Sequence, residues 1–269
     1  MADTYLSRTQ TAGNRRTWTW SAWIKRGDVG TRQNILSAGI DGNDESHFRF
    51  DATGYLRFKE STGNAAEFLL DTSALFRDPS AWYHIVLTFD STQSTSTDRI
   101  KIYINGSQIT SFSSASYPSL NYETRWNNNS QATYLGLNVP AHTDYFDGYM
   151  SEVHFTDGTA YAASTFGETD TTGVWIPKVG PSVTYGTNGY YLKFENSGAM
   201  GTDSSGNSNT FSVGGGTVIQ VPDTPTNVFP TLNPLVAVSP SPTLSEGNLR
   251  STPSGNGNHT TGANIAMPE

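Results

Sequence analysis

The run Trp82-Tyr-His-Ile-Val-Leu-Thr-Phe-Asp90 decides the fold class, together with Arg99-Ile-Lys-Ile-Tyr-Ile-Asn-Gly106-Ser-Gln-Ile109, which follows it after a polar stretch. In the first run Tyr83, Ile85, Leu87 and Phe89 share a face by the two-residue period of an extended chain. In the second, Ile100, Ile102 and Ile104 alternate with Lys101, Tyr103 and Asn105. Residues 90–98 contain only Asp, Ser, Thr and Gln, so they read as an exposed connection. Asn105-Gly106 supplies two neighbours that tolerate positive φ, the strongest local hairpin signal. Two antiparallel strands and the start of a third are expected.

Upstream, Thr17-Trp-Thr-Trp-Ser-Ala-Trp-Ile-Lys25 alternates in the same way. Trp18, Trp20, Ala22 and Ile24 lie on one face; Thr19, Ser21, Trp23 and Lys25 lie on the other. Three indoles so close together would suit a sugar-stacking platform. Because aromatic side chains dominate core burial, the core reading is preferred. Further strands are expected at 34–39, 67–70, 133–137, 146–155 and 189–195, with a hairpin joining 47–50 to 55–59. Residues 159–168 suit a short helical turn. The long polar stretch 111–130 carries Tyr117, Tyr122 and Trp126. These aromatics are either ligand contacts on a functional loop or pins that hold the loop to the body.

Composition narrows the chemistry. With Cys 0 among 269 residues, disulfides, thiolate metal sites and a cysteine nucleophile are excluded. A net charge of -8 argues against sequence-independent nucleic-acid binding. No apolar run is long enough to span a bilayer, and the first residues lack a signal-peptide pattern. No strand carries the alternating carboxylates that glycoside hydrolysis needs, and no Gly-x-Ser-x-Gly elbow is present. His47, His84, His142, His154 and His259 show no metal-ligand spacing. A Ser-His-Asp set that meets only in space stays open, but a non-enzymatic protein is expected. For calcium, the hard donors Asp41, Asn43 and Asp44 crowd one tight turn, and Asp203 and Asn207 another, although ordinary turns share this composition.

Three strings together resemble the laminin-G-like, or concanavalin-A-like, jelly-roll modules: the tryptophan-rich strand from Thr17 to Lys25, Lys101-Ile-Tyr-Ile-Asn-Gly106, and Phe146-Asp-Gly-Tyr-Met-Ser-Glu-Val153. The resemblance covers about residues 5–156. It implies an all-β antiparallel β-sandwich over 1–178. A small β extension packed on it at 179–220 and a Pro-rich extended arm at 221–243 are expected to follow. Such modules often carry one calcium ion.

The tail adds a second resemblance. Tyr190-Tyr-Leu-Lys-Phe194, Asp203-Ser-Ser-Gly-Asn-Ser-Asn209 and Asp223-Thr-Pro-Thr-Asn-Val-Phe-Pro-Thr-Leu-Asn-Pro-Leu235 look like a layout of bacteriophage virion structural proteins of the tail-fibre type. Leu244-Ser-Glu-Gly-Asn-Leu249 resembles the opening strands of a SPRY-like domain, so 244–269 is expected to be a truncated start and the chain to stop early relative to such relatives. The resemblance implies a virion location, after synthesis in the host cytoplasm, and other virion proteins as partners. It also implies a homo-oligomer, with neither nucleic acid bound nor a membrane inserted. Host-surface glycan would then be gripped by Tyr117, Tyr122 and Trp126, with Asn127 and Asn128 as polar partners. The alternative is a capsid decoration or assembly protein whose arm, from Pro222 onward, docks on a neighbouring subunit as an extended strand.

Overall fold

The computed structural model describes residues 3–139, 142–236, 242–245, 247–253 and 261–263. In chain order its strands are β1 (Tyr5–Thr9), β2 (Thr17–Arg26), β3 (Gln33–Gly39), β4 (Glu45–Phe50), β5 (Leu56–Thr62) and β6 (Ala65–Thr72). Then come β7 (Tyr83–Asp90), β8 (Ile100–Ile104), β9 (Ser107–Gln108), β10 (Phe112–Ser116), β11 (Ala132–Leu135) and β12 (Gly148–Asp157). The last are β13 (Gly167–Thr169), β14 (Trp175–Pro177), β15 (Tyr190–Leu192), β16 (Ser212–Gly214), β17 (Thr243–Ser245) and β18 (Arg250–Thr252). One sheet has eight strands in the order β10-β6-β5-β4-β3-β11-β1-β16; the other has six, β15-β12-β2-β7-β8-β9. Every pairing is antiparallel, and the two inner faces enclose one core.

The hairpin expected from the decisive stretch forms in register, with Ile85, Leu87 and Phe89 opposite Ile104, Ile102 and Ile100. Asn105 and Gly106 take φ of 48° and 82°, the pair of positive values that a type I′ turn requires. A side chain at Gly106 would also meet the Trp175 ring at 2.7 Å. Trp18 and Trp20 are fully buried, and Trp18 stacks on Phe89 at 5.2 Å. Trp23 leaves by the opposite face and is buried with Trp82 and Tyr149. The indoles of β2 are core residues, as preferred.

Three features add to the sequence reading. The polar stretch at 111–130 opens with a strand, β10, which pairs with β6 and forms one edge of the larger sheet. Apart from Phe112, which packs against the core, its Ser and Ala side chains carry no hydrophobic alternation, so the ladder hydrogen bonds define it. Segment 179–220 lends a strand to each sheet: β15 beside β12 and β16 beside β1.

The Pro-rich segment expected at 221–243 begins against its own sandwich. Lys25 leaves the outer face of β2, is 1% exposed, and finds Asp223 at 2.7 Å. Asp223 also accepts from the Trp82 indole at 3.0 Å, and Lys25 donates to the Phe229 carbonyl at 3.3 Å. A buried ammonium demands such partners, and the arm supplies them. The described residues from Leu244 to Leu249 lie on the same body. β17 pairs with β18, the Asn248 amide donates to the Gly27 carbonyl at 2.6 Å, and Tyr149 donates to the Gly247 carbonyl at 2.6 Å. The remaining strands expected of a SPRY-like start fall on 254–260 and 264–269, outside the described residues.

Candidate functional site

The loop residues chosen from sequence as ligand contacts are used internally. Trp126 is 1% exposed, stacked on Phe58 at 5.1 Å and edge-on to Trp18 at 4.9 Å. Asn127 is 0% exposed; its amide donates to Asp157 at 2.6 Å and to the Asn14 carbonyl at 2.9 Å, and accepts from Asn188 at 2.8 Å. Tyr122 donates to the buried Glu60 carboxylate at 2.8 Å and packs edge-on to Phe68. Tyr117 packs against the core. Asn128 accepts from the Ser130 backbone and hydroxyl at 3.1 and 2.9 Å, closing a local turn. Trp126 and Asn127 therefore cannot meet a glycan, and the pinning alternative describes this loop. An indole in a polar stretch had a better site inside, where its area leaves water.

The calcium candidates are likewise occupied. Asp41 accepts from the Asn43 and Asp44 amides at 2.9 and 3.0 Å. Asp44 takes the Arg125 guanidinium at 2.6 Å and the Gly63 amide at 3.3 Å. Asn43 stands exposed beside them. With a guanidinium already on Asp44, these three do not form a cation shell. In the second turn, both Asp203 oxygens are filled by Tyr191, Ser205 and Asn209 donors. Among the described residues no three His, Asp or Glu side chains are grouped as a metal would need.

One serine–histidine pair does meet in space. Ser21 Oγ lies 2.9 Å from His84 Nε2. The Trp175 indole, which can only donate, reaches His84 Nδ1 at 2.9 Å. The ring proton therefore sits on Nε2 and is donated to Ser21, the reverse of what a general base does. Burial lowers the His84 pKa to about 3, so the ring stays neutral. Both residues are at most 1% exposed. This pair is structural.

A groove of about 790 Å³ opens where β1 and β11 of one sheet face β12 and β15 of the other. Gly148 fixes its floor. Its φ is 154°, and a Cβ there would fall 2.2 Å from the Lys25 carbonyl, so only glycine lets β12 start this close to β2. That start turns the preceding Tyr145, Phe146 and Asp147 toward the opening, all of them half-buried. Phe194, at a φ of 59°, swings in from the end of β15 with exposed Lys193 and Glu195 beside it. Residues 217–221 form the roof, held down through Asp223.

Asp147 is the distinctive group. Its backbone carbonyl accepts from Gly27 at 2.8 Å, but its carboxylate has no hydrogen-bond or ion-pair partner among the described residues. Burial, reinforced by nearby Asp28 and opposed by the N-terminal ammonium, raises its pKa. Its carboxylate lies against Gly27, where a Cβ would meet Oδ1 at 2.9 Å, while the aromatic lining of the groove comes from Tyr145, Phe146 and Phe194. The sequence reading placed Phe146 and Asp147 in a core strand and Lys193 and Glu195 in the strand at 189–195, and passed over Tyr145. The one local signal was the Tyr145-Phe146 pair just ahead of a strand-initiating glycine.

Sheet order, buried aromatic core and lateral groove define a lectin-like antiparallel sandwich. The family model of the concanavalin A-like lectin/glucanases superfamily matches residues 2–164, and the chain belongs to that family. Similar solved structures include a candidate carbohydrate-binding protein of Bacteroides ovatus ATCC 8483, at 16% identity and a TM-score of 0.44, covering 82% of this chain and 60% of that one. Tailspike protein 2 of an Escherichia coli O157:H7 bacteriophage matches at 16% identity and a TM-score of 0.41, covering 60% of this chain and 22% of that one. The CBM40 of Ruminococcus gnavus IT-sialidase, bound to α2,3-sialyllactose, matches at 18% and 0.40, covering 56% and 80%. A search of curated protein sequences found no match.

Proposed function

We propose that this chain is a non-enzymatic carbohydrate-binding module that holds glycan in the groove between β1/β11 and β12/β15. The observation that carries the reading is the groove of about 790 Å³ itself, with half-buried Tyr145, Phe146 and Phe194 and the acidic Asp147 among its lining residues. The lectin-like fold supports it, as does the reversed polarity of the Ser21–His84 pair. Within this reading the chain serves as a tail-fibre or appendage component of a phage virion and recognises host-surface glycan, alone or as a homo-oligomer beside other virion proteins. The order of motifs from Tyr190 to Leu235 supports that placement.

The test is retention of the full chain on an immobilised glycan panel, with Tyr145→Ala as the groove variant and Tyr117→Ala as the loop variant. The reading requires binding that Tyr145→Ala weakens and Tyr117→Ala leaves intact. Binding lost only in Tyr117→Ala would return the site to the 111–130 loop. Folded protein that retains no glycan would end the reading.

A further inference from the structure

We infer that Arg49 and Asn34 form a binding site for an oxyanion, a carboxylate, sulfate or phosphate group, on the outer face of the larger sheet. The two residues stand opposite each other across β3 and β4, which puts their Cβ atoms about 5 Å apart on one face. That face is the outer one, because Phe48 and Phe50, on either side of Arg49, point into the core. Neither residue lines the groove.

Both side chains are buried without a partner among the described residues. Asn34 is 0% exposed, and neither its amide oxygen nor its amide nitrogen makes a hydrogen bond. Arg49 is 6% exposed, its Nε–H has no acceptor, and the Asp51 carboxylate stays 3.8 Å from its Nη2. The other charges on this face do not complete it. Arg57 takes both oxygens of Asp71 at 2.8 and 2.7 Å, and Asp144 lies 3.8 Å from Arg32. Arg32 and Arg57 both act against the charge of Arg49, while Asp51 and Asp144 favour it from a distance. Farther along β4, His47 lies beside Glu45 and opposite Lys59, and burial keeps its ring neutral.

A guanidinium carries five donors and no acceptor, and a buried charge left unpaired is strongly unfavourable. Water would fill single donors but leave the charge uncompensated. An oxyanion supplies acceptor and charge together, taking the Arg49 fork on one side and the Asn34 N–H on the other. The Asn34 carbonyl oxygen is then free to accept from a hydroxyl or water beside the bound group. Arg32, near enough to act on Arg49 and with its own side chain 52% exposed, marks the side open to solvent.

The experiment titrates full-length wild type, Arg49→Met and Asn34→Ala calorimetrically with sulfate, phosphate and acetate at constant chloride, then with sialyllactose and a glucuronate oligosaccharide. Thermal melting confirms that each variant folds. The expected result is saturable oxyanion binding by the wild type, lost in Arg49→Met and weakened about tenfold in Asn34→Ala, the size of one charge-assisted hydrogen bond. In anion-free buffer Arg49→Met should melt no lower than the wild type, since it removes an uncompensated charge; a purely structural arginine would give the opposite. Charged sugars bound more tightly than acetate, and lost in Arg49→Met, would identify the oxyanion as glycan-borne; inorganic anions bound without them would identify it as free. Should Arg49→Met not fold, Asn34→Ala reads the same site. No saturable binding of any probe by the folded wild type would overturn the inference, as would binding unchanged in both folded variants.

Discussion

Lys25 and Asp223, 198 residues apart, form an ion pair of 2.7 Å with side chains 1% and 4% exposed. It ties the Pro-rich segment to the outer face of β2 and so holds the roof of the groove, residues 217–221, in place. Removing one partner strands the other charge in the interior, which costs about 3–5 kcal/mol. Asp223→Ala is expected to speed amide exchange across 217–229, whereas Lys25→Met combined with Asp223→Leu restores protection. Exchange that does not change in Asp223→Ala would mean that the segment is held by other contacts.

Trp126→Ala is expected to lower stability by about 3–5 kcal/mol, because it empties a site between Phe58 and Trp18. Any glycan binding by the surviving folded fraction should be unaltered. Chemical denaturation checks the first statement and the glycan panel the second. A fully stable Trp126→Ala with impaired binding would contradict both.

Gly148→Ala is expected to destabilise by at least about 2 kcal/mol, since the new methyl must displace the Lys25 carbonyl or the Phe146 ring. The distortion falls at the groove floor, so binding should weaken along with melting temperature. Gly63, with open space around its Cβ position but a φ of 56°, gives a milder comparison in which the backbone effect acts alone.

Stability is expected to fall as pH drops from about 6.5 to 4. Burial lowers the pKa of His47 to about 4 and of His84 and His154 to about 3. In that window the unfolded chain therefore binds more protons at these sites than the folded chain does, and acid favours unfolding. Glu60 acts in the opposite sense. Burial raises its pKa to about 7, so its contribution is present at low pH and is lost between about 4.5 and 7. Three histidines outweigh one glutamate. Glu60→Gln should steepen the net dependence between pH 4.5 and 6.5, read from melting temperatures, and His84→Gln should flatten it. A flat profile in the wild-type protein would contradict the burial of these rings.

The sandwich was legible because its strands alternate. Ile100, Ile102 and Ile104, or Trp18 and Trp20, declare a buried face by period alone, and Asn105-Gly106 declares its turn. The groove was not legible, because it is assembled from β1, β11, β12 and β15, whose adjacency is a property of topology and not of local pattern. The aromatics of 111–130 misled for a related reason. Polar neighbours such as Asn127 and Glu123 look solvated in sequence, yet Asn127 is buried by satisfying Asp157, Asn14 and Asn188 across three other segments. Lys25 and Asp223 show the same limit. Each reads as a surface charge until the fold brings them together and closes them off.

The central claim is that glycan sits in the groove between β1/β11 and β12/β15. Amide hydrogen exchange on the full chain, with and without the oligosaccharide best retained on the panel, tests it most directly. Slowed exchange confined to 145–151, 193–195 and 217–221 is the predicted result. Protection centred on 117–129 instead, or no protection anywhere at saturating oligosaccharide, would contradict it.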